Sequence, residues 1–459
     1  MSTEMNTAHR RQMTLVAFMQ AQNCSNLPSS WRHAAAAPDF MTAEYYQRIA
    51  RTLEAGKFHI AFFDDRLAMP DRYGDDHAES VRHGVRVVKM DLVPLMTAMG
   101  LATRHLGIAG THSTTYYEPF HVARVFATLD HMIGGRAAWN VVTSLNDSEA
   151  ANFGYEAHLE HDARYDRADE FIEAVLGHWD TWEDDAILLD RERGVFADPA
   201  KVHRLDHRGK WFRTRGPFTV PRTPQGRPVI IQAGQSGRGR QFAARWGEVL
   251  FVVFPNREVA QRDYREMKEA IAQAGRDPER VKILPGIYCV VGETQSIAED
   301  KYAYIEKLAH PMDTLALLGE LINFDFARKD LDEPLSDAEL ASISGGQGMR
   351  DRVVRASGKK NPTTRDFIEV SGRGTVRDHP RFIGSPKQVA DGLEDWFASE
   401  ACDGFIVAAT HVPGAYEDFV RLVVPELQRR GLFHTEYSGT TLRENLGLPR
   451  PQRGDWALH

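Results

Sequence analysis

Eight short apolar runs recur along this chain, and each is followed by sequence with helical spacing. They are LVAF (15–18), FHIAFF (58–63), HLGIAG (105–110), RAAWNVV (136–142), PVIIQAG (228–234), EVLFVVF (248–254), VKILPGIYCVV (281–291) and DGFIVAA (403–409). Their β-branched and aromatic content marks strands, so the rhythm is that of repeated βα units. The helical stretches carry their own boundaries. In AEYYQRIARTLEAG, Tyr46, Ile49, Ala50 and Leu53 recur on one face and Gly56 closes the end. In EPFHVARVFATLDHMIGG, Pro119 occupies the first turn and a Gly-Gly pair stops the helix. Eight such units are what a closed parallel TIM (β/α)8 barrel requires. A doubly wound open sheet gives a similar count, so the count leaves both α/β architectures standing.

At roughly 150 residues per domain a chain of 459 allows three, yet an α/β barrel with insertions reaches this length as one. Two segments interrupt the rhythm. Residues 181–227 are rich in turns and alternate like a hairpin in VHRLDHRGKWFRTRGPFTV. Residues 310–380 are polar, with SISGGQG, ASGKKNPTT and SGRGT holding most of the glycine, serine and lysine. A loop of that length reads as a functional lid or a disordered segment. The βα pattern resumes at GSPKQVADGLEDWF. Both segments therefore read as insertions in a single domain spanning 1–459, the longer one preceding the last barrel strand.

Composition removes several function classes. The net charge of −8, from 56 Lys and Arg against 64 Asp and Glu, argues against a nucleic-acid binder. No apolar run approaches the roughly 18 residues that span a bilayer. The start, MSTEMNTAHRRQMTLVAF, has neither the apolar core nor the cleavage site of a signal peptide, and a cytoplasmic location is the expectation. Cys24, Cys289 and Cys402 show no CxxC and no ligand-like spacing, which sets aside a disulfide framework and a structural zinc site. His203 and His207 are four apart, as a metal pair on a helix would be. They lie in the turn-rich segment without an HExxH glutamate, so no metal is expected.

Polar residues gather where the strands end. Asp64 and Asp65 close the second run, Thr111 to Thr115 the third and Asn140 to Ser144 the fourth. A barrel places its active site at these ends, so the gathering marks a ligand site. The strongest local signal is PVIIQAGQSGRGRQFAARWGE, a strand running through Ser-Gly-Arg-Gly into a helix. Backbone N–H groups there, with the Ser236 hydroxyl and Arg238 as counter-charge, suit a phosphate; an ordinary tight βα turn is the plain alternative. The spacing of Gly234, Gly237 and Gly239 is neither the Rossmann fingerprint nor a P-loop. A hydrolase elbow at Ser236 lacks its second glycine, because Arg238 stands there, although Asp403 and His411 follow in workable chain order. His161 and Tyr165 share a helical face in HDARYDRADEF and form a donor pair able to hold a ring or a phosphate, with capping by Asp162 the plain alternative. Trp31, Phe62, Phe63, Tyr116, Tyr117 and Trp139 fit an apolar ring and fit barrel packing equally well. Lys359, Lys360, Arg365 and Arg373 could close over a phosphate or an anionic substrate.

Taken together, HVARVFATLDHMIGGRAAWNVVTSLNDSEAANFG, HDARYDRADEF, SWRH (30–33) and VIIQAGQSGRGRQFAARW resemble the flavin-dependent, bacterial luciferase-like monooxygenases. Within them the match is to the branch of nitrilotriacetate monooxygenase component A and dibenzothiophene-sulfone monooxygenase. The stretch from GSPKQVADGL through VVPELQRRGLFHTEYSGTTLRENLGL fits the same branch, so the resemblance covers nearly everything outside about 310–380. It implies a TIM barrel. It also implies a reaction in which reduced FMN and O2 insert one oxygen atom into a small organic substrate through a flavin (hydro)peroxide. A separate NAD(P)H:flavin reductase is implied as the source of FMNH2, since the chain shows no second nucleotide fingerprint. A homodimer or homotetramer is what the family suggests.

Carried over residue by residue, the flavin contacts fall on Asp65 (the aspartate of F-x-x-D-x-L-A in FFDDRLA), Thr111, Asn140, His161, Tyr165 and Ser236, with Gly237 and Arg238 beside it. Thr103 is an alternative register for Thr111. Substrate contacts would fall on Trp31, Phe63, Ser144 and Arg373. No side-chain acid or base is signalled; His161 and His112 come nearest. TSLNDSEAANFG and LEHDARYDRADEF lean toward an aromatic or organosulfur substrate, with aminopolycarboxylates and chlorinated aromatics the other candidates. An F420-dependent oxidoreductase of the same barrel, and a serine hydrolase built on Ser236, are the alternatives.

Overall fold

The computed structural model describes residues 11–22, 27–144, 146–156, 158–235, 237–343 and 347–458; Cys24 and Ser236 lie outside them. All eight apolar runs form strands: β1 (Thr14–Gln20), β2 (Ile60–Asp64), β3 (Gly107–Ser113), β4 (Ala137–Val142), β5 (Val229–Gln232), β6 (Val249–Val252), β7 (Lys282–Val291) and β8 (Gly404–Ala408). Each pairs in parallel with the next, and β8 returns to β1 with Thr14 opposite Gly404. The ring is closed, which removes the open-sheet alternative, and a ninth strand, Arg381–Gly384, pairs in parallel with the second half of β7.

Side chains alternate across the barrel wall. Val16, Phe18, Ile60, Phe62, Ala109, Ala138, Ile231 and Ile406 fill the interior. Leu15, Ala17, Ala61, Phe63, Ile108, Trp139, Val141 and Phe405 face the surrounding helices. Burial on both faces is why each strand reads as a continuous apolar run rather than an alternation. The carboxyl-terminal stretch adds a plug. Leu442 and Leu446 join the interior cluster, each such burial contributing roughly 1.5–3 kcal/mol. Between them Arg443 makes two bonds, 2.7 and 3.0 Å, to the buried Glu248 carboxylate.

Five helices bear on the mouth of the barrel or its scaffold. They are α1 (Ala43–Ala55), α2 (Pro119–Met132), α3 (His161–Trp179), α4 (Gly237–Trp246) and α5 (Gln295–Leu308). Thr42 caps α1 by accepting from the Tyr45 N–H. Beyond α2, Gly134 and Gly135 adopt φ of +68° and +81°, conformations that a glycine reaches without steric cost.

The segment 181–227 carries two short antiparallel pairs, Ile187–Asp190 with Val195–Ala197 and His207–Arg208 with Arg213–Thr214. His203 and His207 each contact a different glutamate, Glu183 and Glu170, rather than a common point. The segment 310–380 is not an irregular loop. Helices Pro311–Ile322, Asp337–Ser342, Gln347–Ser357 and Thr364–Ser371 surround a small apolar cluster that includes Leu318, Ile322, Phe326, Leu335 and Phe367. These residues are too sparse among polar neighbours for composition to show them. The four cations expected to close over an anion are engaged within the segment itself. Lys359 pairs with Asp366, Lys360 with Asp337, Arg365 with Asp332 and Arg373 with Asp378. Arg32 ties the segment to the barrel rim through two bonds, 2.7 and 3.0 Å, to the buried Asp313. Among the described residues no helix is long and apolar enough to cross a membrane.

Candidate active site

The C-terminal ends of β2, β4 and β5 frame a cavity of about 290 Å³. Two adjacent carboxylates form one wall. Asp64 shares the inward face with Phe62 and accepts a 2.8 Å bond from Gln20 Nε2. Burial alone would raise Asp64, but Lys89, Arg86 and Arg66 outweigh it and hold the carboxyl below its usual range. Asp65 also reaches the cavity, and burial pushes its pKa up to about 7, with the Asp64 charge adding to the rise and Lys89 opposing it. The resemblance selects Asp65; the inward-facing carboxylate is Asp64.

This asymmetry has a measurable consequence. Because Asp65 binds its proton more tightly folded than unfolded, its ionisation opposes folding as pH rises from about 4 toward 7. Asp65→Asn is therefore expected to raise the melting temperature more at pH 8 than at pH 5, and to leave it nearly unchanged close to pH 4. A gain of equal size across that range would refute the assignment.

Thr111 and Asn140 stand opposite each other on the inward faces of β3 and β4. The Thr111 hydroxyl donates to the Phe63 carbonyl at 2.7 Å and accepts from Asn140 Nδ2 at 2.8 Å. That leaves Asn140 Oδ1 buried with no hydrogen-bond partner among the described residues. Such an orphan acceptor costs about 1–3 kcal/mol unless something else satisfies it. Thr103 belongs elsewhere, in the shell of Arg136 near the N-terminal ends of the strands.

On the β4–α3 side, Glu160 caps α3 by accepting from Asp162 N–H and Ala163 N–H, and the first turn presents His161 and Tyr165 to the cavity. His161 is half-exposed, with Nδ1 2.7 Å from Asp162 Oδ1. Tyr165 is buried against Phe242, and its hydroxyl lies where a Cβ on Gly239 would come within 2.6 Å. Ser144 lines the cavity with φ of +58°, a left-handed conformation that side chains rarely adopt, and donates to Ser113 Oγ at 2.9 Å.

The β5–α4 turn forms the remaining wall. A Cβ on Gly234 would sit 2.8 Å from the Gly239 carbonyl, so the chain can approach itself this closely only through glycine. Gly237, the first residue of α4, has open space beyond it. Arg238 does not face the cavity. It binds Asp169 and, at 3.2 Å, Asp166, both on α3, which removes it as a free counter-charge.

Four other expected residues lie away from this cavity. Trp31 is 41% exposed, donates to the His83 carbonyl and lines a separate hollow. Phe63 is on the outer face of β2, packed toward Tyr46. Arg373 is held by Asp378 in the insertion. His112 is buried against Phe126 and Tyr117, outside this cavity. Conversely, Gln232 and Glu149 line the cavity without having been singled out. Gln232 ends β5 and fixes the turn by accepting from the Gly234 N–H at 2.5 Å. Glu149 accepts from the Leu67 N–H at 3.1 Å and completes a capping box with Asn146, a spacing visible in NDSE. Among the described residues no cluster of three His, Cys, Asp or Glu could hold a metal.

Comparison with known proteins places this geometry. The family model for luciferase-like monooxygenases matches residues 19–423. The chain is 45% identical to dibenzothiophene-sulfone monooxygenase of Rhodococcus erythropolis over 96% of its length and 98% of the relative's. It is 41% identical to nitrilotriacetate monooxygenase component A of Aminobacter aminovorans, covering 92% and 94%. A crystal structure of riboflavin lyase with modified FMN and riboflavin superposes with a TM-score of 0.87 at 30% identity, covering 97% and 99%. The chain is an enzyme that belongs to the luciferase-like monooxygenase family.

Proposed function

We propose that this enzyme is the oxygenase half of a two-component system in the cytoplasm. It takes reduced FMN from a separate NAD(P)H:flavin reductase and inserts one atom of O2 into a small aromatic or organosulfur compound. The observation that carries the reading is Asn140 Oδ1, a buried acceptor next to the cavity-lining Val141 that would match the N–H groups of a flavin ring. The start of α4 offers the complementary end. The backbone N–H groups of Gln235 and Gly237 and the hydroxyls of Ser236 and Tyr165 would hold the phosphate, since Arg238 is already paired. Reduced FMN, when bound, supplies the electrons that activate O2.

The chain's own contribution is positioning, dryness and protons. Thr111 fixes the Asn140 amide, and Asp65, with a pKa pushed up to about 7, can give or take a proton on the cavity wall near neutral pH. Phe18, Phe62 and Phe251 pack at ring separations of 5.6–6.2 Å and close the barrel interior. The sulfone named for the 45% identical relative supports the aromatic or organosulfur substrate class. The insertion 310–380, held at the rim by Arg32, would act as the lid that keeps water out of this single-domain barrel.

Anaerobic titration with reduced FMN is expected to show saturable binding. On mixing with oxygen, bound flavin should reoxidise measurably more slowly than free reduced FMN, and a substrate should accelerate its return. Reoxidation at the free-flavin rate with no saturable binding would overturn the reading, and turnover of F420 without oxygen would replace it.

A further inference from the structure

Across the barrel mouth, the ends of β7 and β8 border a second and larger cavity of about 450 Å³, within the range of pockets that hold small organic molecules. No part of the flavin reading uses it. One wall is a pair of imidazoles. His33, in the loop after β1, and His411, just beyond β8, stack with ring centroids 3.6 Å apart and planes within 6°. Tyr304 of α5 meets His33 edge-on at 5.0 Å. The Ala35 N–H donates to His33 Nδ1 at 3.1 Å, which places that ring's proton on Nε2. Burial lowers both imidazole pKa values and Lys301 adds to the effect; His411, lowered also by His33 and opposed by Asp418, is pushed down to about 4. The wall is therefore uncharged at neutral pH.

The charges around it select against anions. Lys301 Nζ is already engaged, at 2.6 Å by Asp418 and at 2.9 Å by the Val291 carbonyl. Asp300 also lines the cavity, so one ammonium faces two carboxylates. Asp418 also binds Arg421 at 2.9 Å, so a phosphate or carboxylate entering here finds no unengaged cation among the lining residues, whereas the remaining surface, including Val290, Ile305 and Ala415, is apolar. Asp418 also directly precedes a π-helical turn, Phe419–Val423, a distortion that recurs at functional sites.

The geometry points to a second ligand site, distinct from the flavin cavity, that takes an uncharged planar aromatic molecule against the His33–His411 stack. The site stands independently of the monooxygenase reading, because it is tested by binding without turnover. Calorimetric titration of the full chain with indole, and with benzoate as an anionic control, is expected to show one saturable indole site and benzoate weaker by about tenfold or more. His411→Ala removes half the stack and Ala415→Trp fills the space. Each should weaken indole by about tenfold while the affinity for reduced FMN stays within about twofold. If Ala415→Trp does not fold, by circular dichroism, His411→Ala carries the comparison. The proposal is overturned by absence of saturable indole binding, by benzoate binding as well as indole, by indifference of indole to His411→Ala, or by competition between indole and FMN.

Discussion

Asp403→Ala is expected to destabilise the barrel by about 3–5 kcal/mol, the range for removing one partner from a buried ionic network. Asp403 lies one residue before β8 and binds four groups. Oδ1 accepts from Arg11 at 2.8 Å and from the Tyr264 hydroxyl at 2.9 Å. Oδ2 accepts from the Ile283 N–H at 2.9 Å and lies 3.1 Å from Lys268 Nζ. The carboxylate thus joins the starts of β7 and β8 to two neighbouring elements, and its loss leaves a nearly buried ammonium unpaired. Urea unfolding of the two proteins measures the difference. Its pH dependence is a second check. Burial would raise the Asp403 pKa, but Lys268, Arg11 and the Ile283 N–H outweigh it and hold it below the usual range. The stabilisation is therefore present above the unfolded-state value near 4 and is lost as pH falls through the lower folded value. A gap below about 1 kcal/mol, as for an exposed pair, or one unchanged in acid, would count against this account.

The same residue decides between chemistries. A serine hydrolase built on Ser236 requires Asp403 to orient His411. Asp403 precedes β8 and His411 follows it, and a five-residue strand separates such positions by about 16 Å. His411 stacks on His33 instead. Chain order alone left the triad open; strand direction closes it.

What the sequence reveals follows from how local each cause is. The strands were legible because two-sided burial demands uninterrupted apolar runs, and α1 and α2 because their caps and glycine stops are local. The helices of the insertion 310–380 were not legible because its core rests on a few residues, such as Phe326 and Phe367, brought together only by the fold. In the site, Asp64 and Asp65 were both found, and only the resemblance chose between them, in favour of Asp65. Their difference lies in strand parity and in Lys89 and Arg86, neither of which is adjacent in sequence. Arg238 looked like a phosphate ligand because Asp166 and Asp169, roughly 70 positions earlier, enter its surroundings only through packing of α3 on α4. Phe63 shows the sharpest form of the problem. One position along a strand moves a ring from the barrel interior, where Phe62 lies, to the helix layer.

Asn140→Leu is expected to weaken reduced-FMN binding by about tenfold or more, the worth of a hydrogen bond of about 1.4 kcal/mol lost in a buried site. Stability should move the other way or not at all. The free protein already bears the cost of Oδ1 without a partner, and leucine removes that acceptor while keeping similar volume. The one bond lost, from Nδ2 to Thr111, leaves the threonine hydroxyl still donating to the Phe63 carbonyl. Thr111→Val is the contrasting variant. It breaks that inter-strand bond and should lower stability by about 1 kcal/mol. Anaerobic fluorescence titration and calorimetry on the two variants separate the cases. If Asn140→Leu loses stability as Thr111→Val does and binds reduced FMN normally, Asn140 serves the barrel rather than the flavin. Loss of affinity with retained stability is the behaviour of a residue whose partner arrives only with the cofactor.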